Sequence, residues 1–169
     1  MAYKLLAVDI DGTLLDSNGN LTAETIKAIN LGIEKGMIFT ISTGRPIQGV
    51  QALIEKLGIT QDLPFITYNG AMVIMWKSKD ILFECSIKHE DALTIIELGK
   101  KLGTTVMVWT DNKLYASELS EKAYKYSSIS GVTPILLKDD KKEIEKTIEK
   151  GVTKILWYDE VATINRYLN

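Results

Sequence analysis

The sequence predicts an α/β protein in two lobes: a parallel-sheet lobe over residues 1–80 and an α+β lobe over residues 81–169. Three observations carry this expectation. Residues 5–8 and 37–41 are apolar at nearly every position, and each run ends in a polar, glycine-containing loop. Segments with apolar residues at helical spacing separate these runs. After Asn69-Gly70 the rhythm changes to paired short strands mixed with helices. Strands that are apolar throughout are buried on both faces, as in a parallel sheet covered by helices. Strand–helix–strand–helix–strand order is the pattern of right-handed crossovers.

In order, residues 5–8 form the first strand. Thr22 caps a helix that runs to about residue 35, with Glu24 favourable in its first turn. Ile26, Ile29 and Ile33 share one face, and Gly36 stops it. Residues 37–41 are the second strand, and Pro46 suits the first position of the next helix. Val50, Leu53, Ile54 and Leu57 form the buried face of that helix, and Gly58 ends it. Residues 64–68 are the third strand. Residues 71–76 and 81–87 pair around the polar turn Lys77-Ser78-Lys79-Asp80. A helix over 90–102 is stopped by Gly103. Residues 104–110 and 113–117 make a hairpin around Asp111-Asn112. A helix from residue 121, a charged helix over 140–150, a strand over 153–158 and a short last helix follow. The lobe boundary is expected near residues 78–84.

Composition narrows the function classes. Twenty basic residues face 22 acidic ones, a net charge of -2, so no strong basic field is present to hold nucleic acid or an anionic membrane. The single cysteine, Cys85, rules out an intramolecular disulfide and points to a reducing, cytoplasmic setting. Asp9 interrupts the apolar run that follows Met1-Ala2-Tyr3-Lys4 too early for a secretory leader, and no later run is long enough to span a membrane.

The residues that carry chemistry lie at the strand ends, where open parallel sheets bind ligands. Asp9-Ile10-Asp11-Gly12-Thr13-Leu14 follows the first strand. Carboxylates two residues apart can project to one side of the chain, and both stay ionised when a cation neutralises them. Magnesium prefers such oxygen ligands. Gly12 permits a tight turn and the approach of N–H groups to an anion. A calcium loop is a poorer match, because its twelfth position would be Asn20 instead of glutamate. Ser42-Thr43-Gly44-Arg45 follows the second strand; it offers a hydroxyl beside a helix start, or simply a capping turn. Thr67-Tyr68-Asn69-Gly70-Ala71 follows the third, where Asn69 contacts a substrate or makes a turn, the turn being the commoner use of Asn-Gly.

These three motifs, in this order and spacing, resemble the haloacid dehalogenase superfamily, and more narrowly its Cof-type phosphatases with an α+β cap inserted after the third strand. The resemblance extends over the whole chain, including Val108-Trp109-Thr110-Asp111 and Gly151-Val152-Thr153-Lys154-Ile155-Leu156. It implies a partial Rossmann-like core and a cap. It further implies a phosphatase acting on small phosphorylated metabolites: Asp9 as nucleophile, Asp11 as acid and base, and Thr43, with Ser42 as its neighbour, on a phosphate oxygen. Gly12, Gly44, Arg45 and Asn69 complete the expected substrate contacts. Mg2+ would be held by Asp9 and the main-chain carbonyl of Asp11.

The family also uses a later lysine and a later acidic segment. Asp139-Asp140 and Asp159-Glu160 do not match them, so the chain is expected to end inside its cap. A proteolytic or engineered fragment, a truncated gene product and half of a split protein all fit. Without later strands, residues 5–8 would present an apolar edge that invites self-association or pairing with a complementary C-terminal segment. Elsewhere, His89 reads as exposed or capping, and Cys85 as a small buried hydrophobe. Trp76, Trp109 and Trp157 read as cap residues. The lysine-rich stretch 138–150 reads as a solvated helix face. Arg45 reaches a phosphate, the cap or a surface ion-pair partner.

Overall fold

The computed structural model describes residues 3–168; Met1, Ala2 and Asn169 lie outside the described residues, as do the expectations about the chain's two ends that rest on them. The chain divides into two compact units, Met1–Glu84 and Cys85–Asn169.

In the first unit, β1 (Leu5–Val8) pairs in parallel with β2 (Ile38–Ile41), Leu5 opposite Ile38 and Val8 opposite Ile41. The crossover is α1 (Ala23–Glu34), capped by Thr22, whose side chain accepts the Thr25 N–H. Ile29 is its buried residue, with Ile26 and Ile33 half-buried. After β2, Pro46 opens a 3₁₀ turn, Ile47–Val50, that runs into α2 (Gln51–Leu57). Val50, Ile54 and Leu57 are fully buried, and Gly58 ends the helix at a φ of +68°. β3 (Pro64–Thr67) joins β2 through a parallel bridge between Ser42 and Ile66. The Thr40 hydroxyl donates to the Pro64 carbonyl at 2.7 Å across the same seam. β4 (Met72–Met75) and β5 (Ile81–Glu84) then run antiparallel beside β3. The strand at 81–84 thus pairs with β4 and belongs to the first unit, which ends at Glu84, four residues after the division at residue 80 and at the upper end of the expected 78–84 boundary region.

Two expectations meet at β1: burial on both faces, and an exposed apolar edge where no later strand pairs with it. Leu5 is 55% and Leu6 38% exposed, as the second of these requires. Among the described residues β2 is its only hydrogen-bonded strand neighbour. An apolar run sets the capacity of a strand for burial; a neighbour has to supply it. Phe39, on β2 beside it, is fully buried.

In the second unit, a four-stranded sheet has the order β8-β7-β6-β9. Its centre is β6 (Thr105–Thr110), in which every residue is buried. β7 (Lys113–Ala116) turns back through Asp111 and Asn112, both at positive φ, as a two-residue hairpin requires. β9 (Lys154–Tyr158) pairs antiparallel on the other side of β6. Val106 and Val108 pack on one face with Ala92 and Ile96 of α3 (His89–Lys101), with Ile144 of α5 (Lys141–Thr147) and with Ile148 just after it. Trp109 belongs to the other face, where its indole N–H donates to the Tyr126 hydroxyl of α4 (Glu121–Ser130) at 3.1 Å. β8 (Ile135–Leu136), a two-residue strand parallel to β7, was not expected; it is too short to show alternation. α6 (Val161–Leu168) ends the described chain.

Two smaller readings change. Cys85 is exposed, because it follows the exposed edge strand β5 instead of sitting in a core. Trp76 is in the first unit, 6.2 Å from Phe65 between ring centroids and with the Lys79 ammonium over its ring. His89 is exposed at the start of α3, as expected.

Replacing Phe39 with alanine is expected to destabilise the first unit by about 3–5 kcal/mol, read from urea unfolding. Asp62 gives a pH prediction. Its carboxylate accepts the N–H groups of Lys77 at 2.6 Å and Ser78 at 3.3 Å and so fastens the β4–β5 turn. The Lys77 bond, first among the causes, holds Asp62 below the usual carboxylate range. A depressed carboxyl stabilises the folded form above its unfolded pKa and loses that contribution as pH falls through the folded value. Amide exchange at Lys77 and Ser78, after correction for intrinsic rates, is expected to lose protection on acidification, and Asp62→Asn is expected to flatten that dependence.

Candidate active site

The site is built from the three loops at the carboxyl ends of β1, β2 and β3. After β1 the chain makes a wide turn closed by Leu14 N–H to the Asp9 carbonyl at 3.1 Å and Leu15 N–H to the Ile10 carbonyl at 3.2 Å. Ile10 and Leu14 anchor this turn in the core, while Asp9, Asp11, Gly12 and Thr13 stay exposed. Gly12 has a φ of +75°, which an L side chain adopts only with strain. The Asp9 carboxylate accepts the Ile10 N–H at 2.8 Å through Oδ1. Beyond the turn, Asp16 Oδ1 accepts the N–H groups of both Asn18 and Asn20.

The second and third loops are tied to each other by main-chain bonds. Thr43 N–H donates to the Ile66 carbonyl at 3.0 Å, Asn69 N–H to the Thr43 carbonyl at 3.1 Å and Tyr68 N–H to the Arg45 carbonyl at 3.2 Å. Tyr68 and Asn69 hold left-handed φ values of +52° and +58°. Such values in non-glycine residues persist where surrounding structure imposes them, and they cluster at functional sites. The buried Tyr68 ring and these bonds impose them here. Asn69 therefore makes the turn and stays exposed beside the second loop.

Asp9, Ser42, Thr43, Gly44 and Asn69, with Ala7, line one open depression of about 520 Å³. Thr43 is 4% exposed, and its hydroxyl oxygen accepts the Arg45 N–H at 3.2 Å, which leaves the hydroxyl hydrogen to donate. Gly44 lies close to Asn69: a Cβ there would fall 2.5 Å from the Asn69 side-chain oxygen, so the carboxamide would have to shift. Asp11 goes elsewhere. Its two carboxylate oxygens accept from Arg45, Nε to Oδ2 at 3.0 Å and Nη2 to Oδ1 at 2.6 Å. Arg45 makes the surface ion pair that was one of its sequence readings. Its partner, Asp11, lies 34 residues away in sequence, a separation that no local pattern spans. Among the described residues, no group of three or more His, Cys, Asp or Glu side chains could hold a metal ion.

An Asp-x-Asp turn, a buried threonine and an Asn-Gly turn thus meet at neighbouring strand ends of the first unit. The family pattern described as haloacid dehalogenase-like hydrolase matches residues 6–168, and the chain belongs to this family. It is 29% identical over 169 residues to the Bacillus subtilis protein YxeH, covering 98% of this chain and 61% of that one. Among solved structures it is similar to a haloacid dehalogenase-like hydrolase from Bacteroides thetaiotaomicron, with a TM-score of 0.81 at 20% identity over 97% of this chain and 61% of that one. It is also similar to the subclass IIB sugar phosphatase BT4131, with a TM-score of 0.74 at 21% identity over 98% and 62% of the two chains. The chain thus spans about three-fifths of the length of these relatives. No helix among the described residues is long and apolar enough to cross a membrane.

Gly44→Ala is expected to push the Asn69 carboxamide out of the depression. Because only the end of an exposed side chain has to move, the cost in chemical unfolding should stay at about 0.5 kcal/mol. The accompanying change in amide shifts should centre on residues 43–45 and 68–70.

Proposed function

We propose that this chain supplies the nucleophile-bearing part of a magnesium-dependent phosphatase that hydrolyses small phosphate monoesters through an aspartyl-phosphate. The observation that supports this most is the shared depression of Asp9, Thr43, Gly44 and Asn69 at the carboxyl ends of the first three strands. An Asp9 oxygen attacks phosphorus, the bond from phosphorus to the leaving oxygen breaks, and Asp11 in its acid form gives that oxygen a proton. Asp11 then takes a proton from water, whose oxygen attacks phosphorus, releases inorganic phosphate and restores Asp9. The Thr43 hydroxyl donates to a phosphate oxygen, while Gly12, Gly44 and Asn69 shape the approach of the anion.

The donor chemistry fits magnesium in part. The Asp9 carboxylate and the Asp11 main-chain carbonyl are hard oxygens on exposed residues, and magnesium is commonly held by one or two carboxylates with water and substrate oxygens. When bound there, the ion supplies positive charge between nucleophile and phosphate. Sugar phosphates, nucleotides and phosphorylated cofactors are the substrate range we infer, in keeping with the named activity of the sugar phosphatase relative.

A second reading, a homologue that binds a ligand or partner without turnover, is supported by two observations. Among the described residues Asp9 is the one acidic residue in the lining of the depression, and no lysine joins it. The open apolar edge of β1 supports self-association or pairing with a complementary segment.

Turnover of p-nitrophenyl phosphate with and without Mg2+, together with acid-quenched mass analysis, separates the readings. For the 169-residue chain by itself the expected result is weak Mg2+ affinity and slow turnover, abolished by Asp9→Asn. Fast turnover that Asp9→Asn abolishes would show that no further groups are needed. Turnover unchanged in that variant would remove Asp9 as the nucleophile.

A further inference from the structure

We infer that Arg45 is a positioning residue: its guanidinium fork sets the side-chain rotamer and plane of Asp11, the residue assigned above to exchange protons with the leaving oxygen and with water. The functional half of this statement rests on the phosphatase reading above; the positional half does not.

The geometry is that of a two-bond fork, Nε to Oδ2 at 3.0 Å and Nη2 to Oδ1 at 2.6 Å. Two parallel bonds from a planar cation fix a carboxylate's plane as well as its place, which a lysine's single point charge does not. The fork is itself anchored. Nη1 donates to the Gly49 carbonyl at 3.3 Å, on the 3₁₀ turn that precedes α2. The Arg45 backbone is held on both sides, its N–H by Thr43 Oγ1 at 3.2 Å and its carbonyl by the Tyr68 N–H at 3.2 Å. Arg45 thus carries the rigidity of the second and third loops to a side chain of the first.

Asp11 needs such support. Its side chain is 61% exposed, against 26% for Arg45, and it sits next to Gly12 in a turn that projects from the core. An exposed aspartate otherwise samples several χ1 rotamers. The fork leaves Asp11 able to react, because each carboxylate oxygen has a second lone pair beyond the one the guanidinium occupies. The pair is too exposed to matter much for global stability. Removing Arg45 should therefore disturb aim without unfolding the unit.

The test reads the Asp11 rotamer directly. Three-bond couplings from the backbone nitrogen and carbonyl carbon to Asp11 Cγ are measured in the wild-type chain, Arg45→Ala and Arg45→Lys. Wild type is expected to show the couplings of one staggered rotamer, Arg45→Ala averaged couplings, and Arg45→Lys intermediate ones, with the remaining amide spectrum little changed. Unaveraged couplings in Arg45→Ala overturn the proposal whatever the protein's activity.

A kinetic arm compares p-nitrophenyl phosphate, whose leaving group needs little protonation, with a hexose phosphate, whose leaving group needs it. Arg45→Ala is expected to lower kcat for the hexose phosphate about tenfold more than for p-nitrophenyl phosphate, within the range general acid catalysis supplies. An equal loss on both substrates, carried by KM, would make Arg45 a phosphate ligand and overturn the positioning role. A chain that turns over neither substrate but shows averaged couplings in Arg45→Ala retains the positional inference and loses the phosphatase reading.

Discussion

The first unit's candidate site depends on main-chain hydrogen bonds that lace the loop after β2 to the loop after β3. Thr43 and Arg45 each give a carbonyl to an N–H of the third loop, and Thr43 N–H reaches back to Ile66. β2 and β3 share only one bridge as strands, so these bonds continue the sheet past its formal end. They hold Tyr68 and Asn69 at φ values those residues avoid when free, and they bring Gly44 within contact of the Asn69 carboxamide. The polar groups of the depression are aligned by this frame, which uses backbone atoms that side-chain substitution leaves in place.

The second unit rests on a different constraint. β6 is buried on both faces, with α3 and α5 residues against Val106 and Val108 and an α4 hydroxyl bonded to Trp109. Burying a polar atom costs least when it has a partner, and the Trp109 indole N–H has one in the Tyr126 hydroxyl. Burial in turn pushes the Tyr126 phenol above its ordinary pKa. Gly99 of α3 fits the same logic, since a Cβ there would fall 2.3 Å from the Trp157 indole nitrogen.

Much of this was legible in the sequence, for physical reasons that can be named. Thr22, Gly36, Gly58 and Asp111-Asn112 act within a few residues of themselves, so the caps and the hairpin turn could be read locally. The carboxyl-end positions of Asp9, Thr43 and Asn69 followed from strand order, and the structure brings these three together. Contacts between distant residues were not legible. Nothing near Arg45 or Asp11 in sequence marks them as partners, and nothing in residues 5–8 says whether a second neighbour covers the strand. Cys85 was misjudged for the same reason: apolar character suggested a core, and its place after an exposed edge strand decided otherwise.

The uncovered edge of β1 has a thermodynamic consequence. Among the described residues β1 is paired on one side only, with Leu5 and Leu6 exposed, and such an edge is a surface that a second strand can extend. Where the second strand comes from another copy, pairing obeys mass action, and the apparent stability of the first unit becomes a function of protein concentration. In that case a melting temperature of these 169 residues has no single value and rises with the amount of protein in the cuvette.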